Sequence, residues 1–348
     1  MVYGFYINSS IHQLGYVTEL ILRLNGLLYT DSEQTFNIIK KDFPGLRVKL
    51  LPSIPEIIKS MKANRIRCLI LQDFHYNKFK ELKELGVKFV QVFHGTSDKT
   101  YNLNSEIIYY DLVCLSGKKM LEDVQRKGLN RKKNCVITGN PKMDMVFRKI
   151  HDRETEMKKL GLDPQLKNVL YAPTWMDGMG NSSFRKFGIK LPDYFPEEYQ
   201  LTIKLHPNIH LYQKKLVERL RMKIQGKKNM LLIERNRELY DIVPVLAASD
   251  LLITDVSGVS HEYIGFLRPM IFLNNRSILR FFYGKDRKRI WQAGDVLTKL
   301  NDLPETIRKN IEYPERYREV QKRMLEDIYT YTDGCAVERI IEAVQRIV

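Results

Sequence analysis

Residues 251–273 read LLITDVSGVSHEYIGFLRPMIFL. An apolar, strand-length run ends at Asp255, a Ser-Gly pair opens a helical stretch over 257–266, and a second apolar run, PMIFLN, follows at once. Strand, helix, strand in that order argues for two parallel strands joined by a crossover helix, the repeating unit of an α/β sheet. The alternation continues outward. Upstream lie the candidate strands NVLYAPT, LTIKLHP and NMLLIE, with helices over 211–224 and 240–248; downstream a helix is expected over 304–312.

The first half repeats the theme with VYGFYI, GLLYT, RVKLL, IRCLILQ, KFVQVF, YDLVCLS and NCVITG. Helical patterns separate them over 12–24, 32–42, 55–63, 76–85 and 117–128; Ile57, Ile58 and Met61 fall on one helical face. A polar stretch over 145–166 divides the halves, and 315–348 reads as one or two terminal helices. The expected fold is α/β, two Rossmann-like domains of parallel strands facing across a cleft. The domains are expected at 1–150 and 151–314, with helices 315–348 packing back toward the first.

At 348 residues the chain can bury two cores of ordinary size. No run approaches the ~20 apolar residues that span a bilayer. MVYGFYINSS lacks the basic region and small-residue cleavage site of a signal peptide. A cytoplasmic protein is expected. The cysteines Cys68, Cys114, Cys135 and Cys335 form no C-x-x-C pair and no zinc spacing; the first three lie in or beside apolar runs and read as core residues. A net charge of +16 speaks of partners rather than fold. Either it is a solvated basic surface, or it meets an anionic membrane face or a polyphosphate-like polymer. Nucleic acid is disfavoured, because no recognition motif accompanies the charge.

In open α/β sheets ligands sit beyond the carboxyl ends of the strands. That rule selects four loops: His94, Gly95 and Thr96 after FVQVF; Gly139 and Asn140 in ITGNPKMD; Pro173 and Thr174 in YAPTW, with Lys204 and His206 in KLHPN; and Asp255, Ser257, Gly258 and Glu262 in the opening stretch. Ser257 and Gly258 read either as an ordinary N-cap or as a helix start that accepts an anion. Pro207 biases His206 toward an extended backbone, and Lys204, two residues earlier, is expected on the same strand face. His261 inside the 257–266 helix is core or rim. The glycine-rich 178–183 reads as a mobile loop. No D-x-D, P-loop, H-E-x-x-H or G-x-S-x-G occurs, so no metal site is expected.

Taken in order, HGTSDK, ITGNPKMD, VLYAPTW, KLHP and LLITDVSGVSHEYIGFLRPMIF resemble the CDP-glycerol glycerophosphotransferase family over roughly residues 90–275, with weaker similarity in DGCAVERIIEAV. The resemblance implies a GT-B architecture and transfer of a polyol phosphate, glycerol phosphate first, from a CDP-activated donor to a hydroxyl of a cell-envelope glycan or polymer, including a lipid-linked one. CMP leaves, and neither metal nor other cofactor takes part. It implies His94 as the base that takes the acceptor proton, His206 as a group on the donor pyrophosphate, and Ser257 and Gly258 as phosphate contacts. Thr174 and Glu262 are implied near the nucleotide, and Lys99 falls in the first motif. The chain departs from the family pattern at Ser97 and Asp98 (commonly Pro-Leu), Met176 (Arg), Val256 and Gly258 (Tyr and Ser), His261 (apolar) and Glu262 (Asp). Two other readings stay open: a GT-B glycosyltransferase or UDP-sugar epimerase, and a nucleotide- or polymer-binding protein without turnover.

Overall fold

The computed structural model describes residues 2–96, 98, 103–130, 133–176, 182–234, 241–275 and 289–348. The chain divides into two compact units, one made of Met1–Thr96, Thr100–Arg148 and Glu326–Val348, the other of Ser97–Lys99 and Lys149–Leu325.

The first unit holds seven strands, β1 (Val2–Tyr6), β2 (Leu27–Thr30), β3 (Arg47–Leu50), β4 (Ile66–Leu71), β5 (Lys88–Val92), β6 (Leu112–Leu115) and β7 (Cys135–Ile137), in the order 3-2-1-4-5-6-7. Every pairing is parallel. Such strands are covered on both faces, which is why they read as near-continuous apolar runs. Connecting them are α1 (Thr18–Arg23), α2 (Glu33–Asp42), α3 (Ile54–Ala63), α4 (Tyr76–Glu84) and α5 (Lys118–Arg126), followed by α6 (Pro141–Phe147). Ser32 and Ser53 start α2 and α3 by accepting backbone N–H groups of Thr35 and Glu56 on their hydroxyls. The expected helix over 12–24 is instead a short turn at Ile11–Gln13 followed by α1.

Alternation sorts the sheet's side chains. Cys68, Ile70, Val90 and Val92 join one core cluster; Leu69, Leu71, Phe89 and Val113 join the other. Cys68 and Cys114 are fully buried, and burial pushes both thiols up to about 12, the behaviour of core residues. The first cluster is completed from the far end of the chain, by Val337, Ile340 and Val344 of α14 (Ala336–Gln345). Asp144 of α6 fastens α14 by accepting the backbone N–H groups of Ala336 and Val337, both at 3.0 Å, two of the donors a helix start leaves unpaired. Desolvation raises the Asp144 carboxyl above its ordinary range, against the pull of those two N–H groups.

The second unit repeats the architecture with β8 (Asn168–Tyr171), β9 (Gln200–Ile203), β10 (Met230–Leu232), β11 (Leu251–Thr254), β12 (Met270–Leu273) and β13 (Asp295–Leu297), ordered 10-9-8-11-12-13 and all parallel. Its helices are α7 (Arg153–Leu160), α8 (Pro207–Tyr212), α9 (Lys214–Ile224), α10 (Val243–Ala247), α11 (Gly258–Tyr263), α12 (Leu303–Glu312) and most of α13 (Arg318–Ile328). The expected 211–224 helix is two, broken at Gln213, and the polar 145–166 stretch contains α7, capped by Asp152 and closed by Gly161 at φ 77°. Strand order reverses between β1 and β4 in the first unit and between β8 and β11 in the second. These switch points are where α/β sheets leave room for ligands.

Candidate functional site

In the first unit His94 follows β5 by two residues. Its Nδ1 lies 3.4 Å from the backbone oxygen of Gln72 and 3.5 Å from Oδ1 of Asp73, both just past the end of β4. A carbonyl oxygen only accepts, so Nδ1 carries the proton and Nε2 the lone pair. Gln13, in the turn after β1, donates from Nε2 to the other Asp73 oxygen at 3.0 Å. Gln13, from the β1 loop, thus holds Asp73 beside the imidazole as an ionic neighbour, with the side chains of His94 and Asp73 only 29% and 15% exposed. Asp73 and Gln13 carry no sequence signal. They sit 21 and 81 residues before His94, and only the β1–β4–β5 neighbourhood brings them together. Thr96 is buried. Lys99 lies outside the described residues, as do Ser97, residues 178–181 of the glycine-rich loop, Tyr240, and the basic residues Arg131, Lys132, Lys285, Arg287 and Lys288.

Gly139 and Asn140 have structural tasks in the same unit. Gly139 adopts φ 88°, and a Cβ there would meet that of Ala336 at 3.0 Å. Asn140 caps α6, its Oδ1 accepting the Lys142 N–H at 3.0 Å.

In the second unit the switch point is organised by Asp255, which is fully buried. Its Oδ1 accepts the Thr174 N–H at 3.0 Å; Oδ2 accepts the Ser183 N–H at 2.7 Å and the Ser183 hydroxyl at 2.8 Å. Tyr171 and Ser183 share a further hydroxyl contact at 3.0 Å, and Ser182 Oγ donates to the Thr174 oxygen. Asp255 therefore fixes the Pro173–Thr174 turn after β8 to its own loop after β11. Ser257 takes the capping role: its Oγ accepts the Val259 N–H at 3.2 Å. Because α11 has six residues, its dipole is small, and any anion there would depend on local N–H groups. Glu262, on α11, is buried.

Lys204 and His206 do not share a strand. β9 ends at Ile203, and His206 is the residue that starts α8, at φ −60° and ψ 140°. Its Nδ1 accepts the Asn208 N–H at 3.1 Å, and its ring lies against Trp175, with centroids 6.2 Å apart. An Nδ1 that accepts leaves the proton of the neutral ring on Nε2, so His206 presents a donor.

Two departures from the family pattern meet. His261 is buried, and its Nε2 lies 3.2 Å from Oδ1 of Asp98, whose Oδ2 accepts the Ile290 N–H at 3.0 Å. Among the described residues no three His, Cys, Asp or Glu side chains gather to hold a metal ion, and no helix is long and apolar enough to cross a membrane.

Residues 61–346 match the family model for CDP-Glycerol:Poly(glycerophosphate) glycerophosphotransferase. The chain belongs to this family. The teichoic acid poly(glycerol phosphate) polymerase of Bacillus spizizenii is 28% identical over 238 residues, 64% of this chain and 56% of that protein. With two ribitol-phosphate polymerases of Staphylococcus aureus matched over 40% and 37% of their lengths, the chain spans about half the length of the curated polymerases it resembles, or less. Among solved structures, the wall teichoic acid polymerase TagF shares a TM-score of 0.72 at 16% identity, over 99% of this chain and 89% of that one. S. aureus MnaA, solved with UDP, gives 0.63 at 14% identity over 100% and 97%. These likenesses establish the GT-B fold.

Proposed function

We propose that the protein transfers a polyol phosphate, glycerol phosphate first, from a CDP-activated donor to a hydroxyl of a cell-envelope acceptor. The acceptor oxygen bonds to the β-phosphorus, the bond from that phosphorus to the bridging oxygen breaks, and CMP leaves with the bridging oxygen. The acceptor proton passes to Nε2 of His94. The observation that carries this reading is the wiring of that ring. With Nδ1 engaged by the Gln72 carbonyl and Asp73 beside it, Nε2 is the basic nitrogen, and a base so placed contributes roughly 10²–10⁴-fold. His206, through Nε2–H, Lys204, and the N–H groups around Ser257 and Gly258 oppose the charge that builds on the phosphate oxygens. Asp255 and Thr174 shape the loop that faces the nucleotide.

A second reading, an enzyme acting on UDP-sugars, has one specific support: the fold likeness to MnaA, a protein solved with UDP. Ligand-induced thermal shift separates the two, since a ligand held by the native state stabilises by RT ln(1 + [L]/Kd). We expect CDP-glycerol or CDP-ribitol to raise the midpoint and wild type to release CMP when an acceptor is added. A shift confined to UDP-sugars would overturn the assignment, and tight CDP binding without turnover would mark a binding protein.

The basic charge suits work beside a phosphate-rich acceptor at an anionic membrane face. Lys214, Lys215, Arg219, Lys227 and Lys228 are all exposed on and after α9. Binding to anionic liposomes at low salt, released by salt as screening shortens the reach of charge, is the expected result; no binding at low salt removes the membrane from the proposal.

A further inference from the structure

We propose that the Gln72 carboxamide is the hydroxyl-reading group of a polyol subsite beside His94; this deepens the transferase reading and rests on it. Gln72 is the first residue after β4, at the β1–β4 switch point. It is 2% exposed, and among the described residues neither its Nε2 nor its Oε1 has a hydrogen-bond partner. Buried side-chain polar groups are ordinarily paired. The strand alternation sets its direction. Cys68 and Ile70 on β4 share a core cluster with Val90 and Val92 on β5, and Gln72 and His94 are the next members of those two series. The main-chain oxygen of Gln72 already touches the imidazole.

The chemistry selects the ligand class. A carboxamide offers a donor and an acceptor together, and so does a hydroxyl group. A phosphate or carboxylate would use the amino side alone. Neutral vicinal hydroxyls, the end of a glycerol or ribitol chain, use both. Glutamine has three side-chain torsions, so the amide reaches a hydroxyl near His94 without movement of the strand.

The molecule supplies a control. Gln91 on β5 is also fully buried with both amide atoms unpaired, but its place in the alternation puts it with Phe89 on the opposite face of the sheet. An unpaired amide there has packing consequences only.

The test follows the side-chain ¹⁵N–H₂ resonance of Gln72 in the full chain, assigned by its loss in Gln72→Met, during titration with sn-glycerol 3-phosphate and, separately, inorganic phosphate. The expected result is a shift with the polyol phosphate and none with phosphate. Gln72→Met should weaken glycerol 3-phosphate binding at least tenfold, while Gln91→Met binds as wild type does. Equal binding by Gln72→Met, or an equal shift with phosphate, overturns the proposal and leaves the amide a buried defect or a water site. Should Gln72→Met fail to fold, Gln72→Glu, which keeps the shape and loses the donor, takes its place with the same expected loss. Wild-type turnover of CDP-glycerol is measured alongside. Turnover with an unchanged acceptor KM in Gln72→Met removes the subsite alone, whereas polyol binding sensitive to Gln72 without any turnover removes the transferase reading alone.

Discussion

His94 and His206 each stand a few residues beyond the end of a parallel strand, and there the likeness stops. The first gives its Nδ1 proton to a carbonyl and keeps a lone pair on Nε2; the second receives a backbone N–H on Nδ1 and keeps a proton on Nε2. One ring is prepared to take a proton and the other to donate a hydrogen bond. Residue type does not decide this. The neighbour of Nδ1 does, and that neighbour comes from the fold: the residue just past the end of the adjacent strand in one case, the first turn of the ring's own helix in the other.

The sharpest way to break the contrast is His94→Ala, expected to lower CMP release by about 10³-fold, within the range removal of a general base produces. His94→Gln should do no better, because an amide supplies no base. His206→Ala should cost about 10²-fold, the scale of one lost transition-state donor. Here His206→Gln, which retains an N–H, should recover part of the rate. If both histidines responded to Gln alike, the difference in wiring would carry no functional meaning. The smallest effect is expected for Asp73→Asn: about a tenfold loss in kcat with the donor KM unchanged, since the amide still fills the space beside Nδ1 but presents no charge to the imidazolium. A donor KM that rose in step would instead place Asp73 in donor binding.

Much of the fold was legible because buried parallel strands are written as apolar runs between helical patterns. β13 escaped: Asp295–Leu297 is three residues long and half-buried throughout, so it forms no such run. Gln213 breaks the helix expected over 211–224 without a Gly or Pro to announce it. At the site, the strand-end rule drew attention to His94, His206 and Asp255, because each follows an apolar run. It could not reach Asp73 or Gln13, whose relation to His94 exists only once β1, β4 and β5 lie side by side. Nor could it show that Asp98 and His261, two separate departures in the text, answer each other across 163 residues. Distance along the chain hides what strand order and packing restore.

The closing helix α14 has a consequence for how the chain acquires its shape. The second unit is nearly all one continuous segment, Lys149–Leu325, whereas the first cannot complete its core until Val337, Ile340 and Val344 are present and the amides of Ala336 and Val337 have reached Asp144. During synthesis the part made later is therefore the first able to finish folding, and the part made earlier waits on the ribosome's delivery of residues 336–345. A released chain ending at residue 330 would carry one finished lobe and one still open.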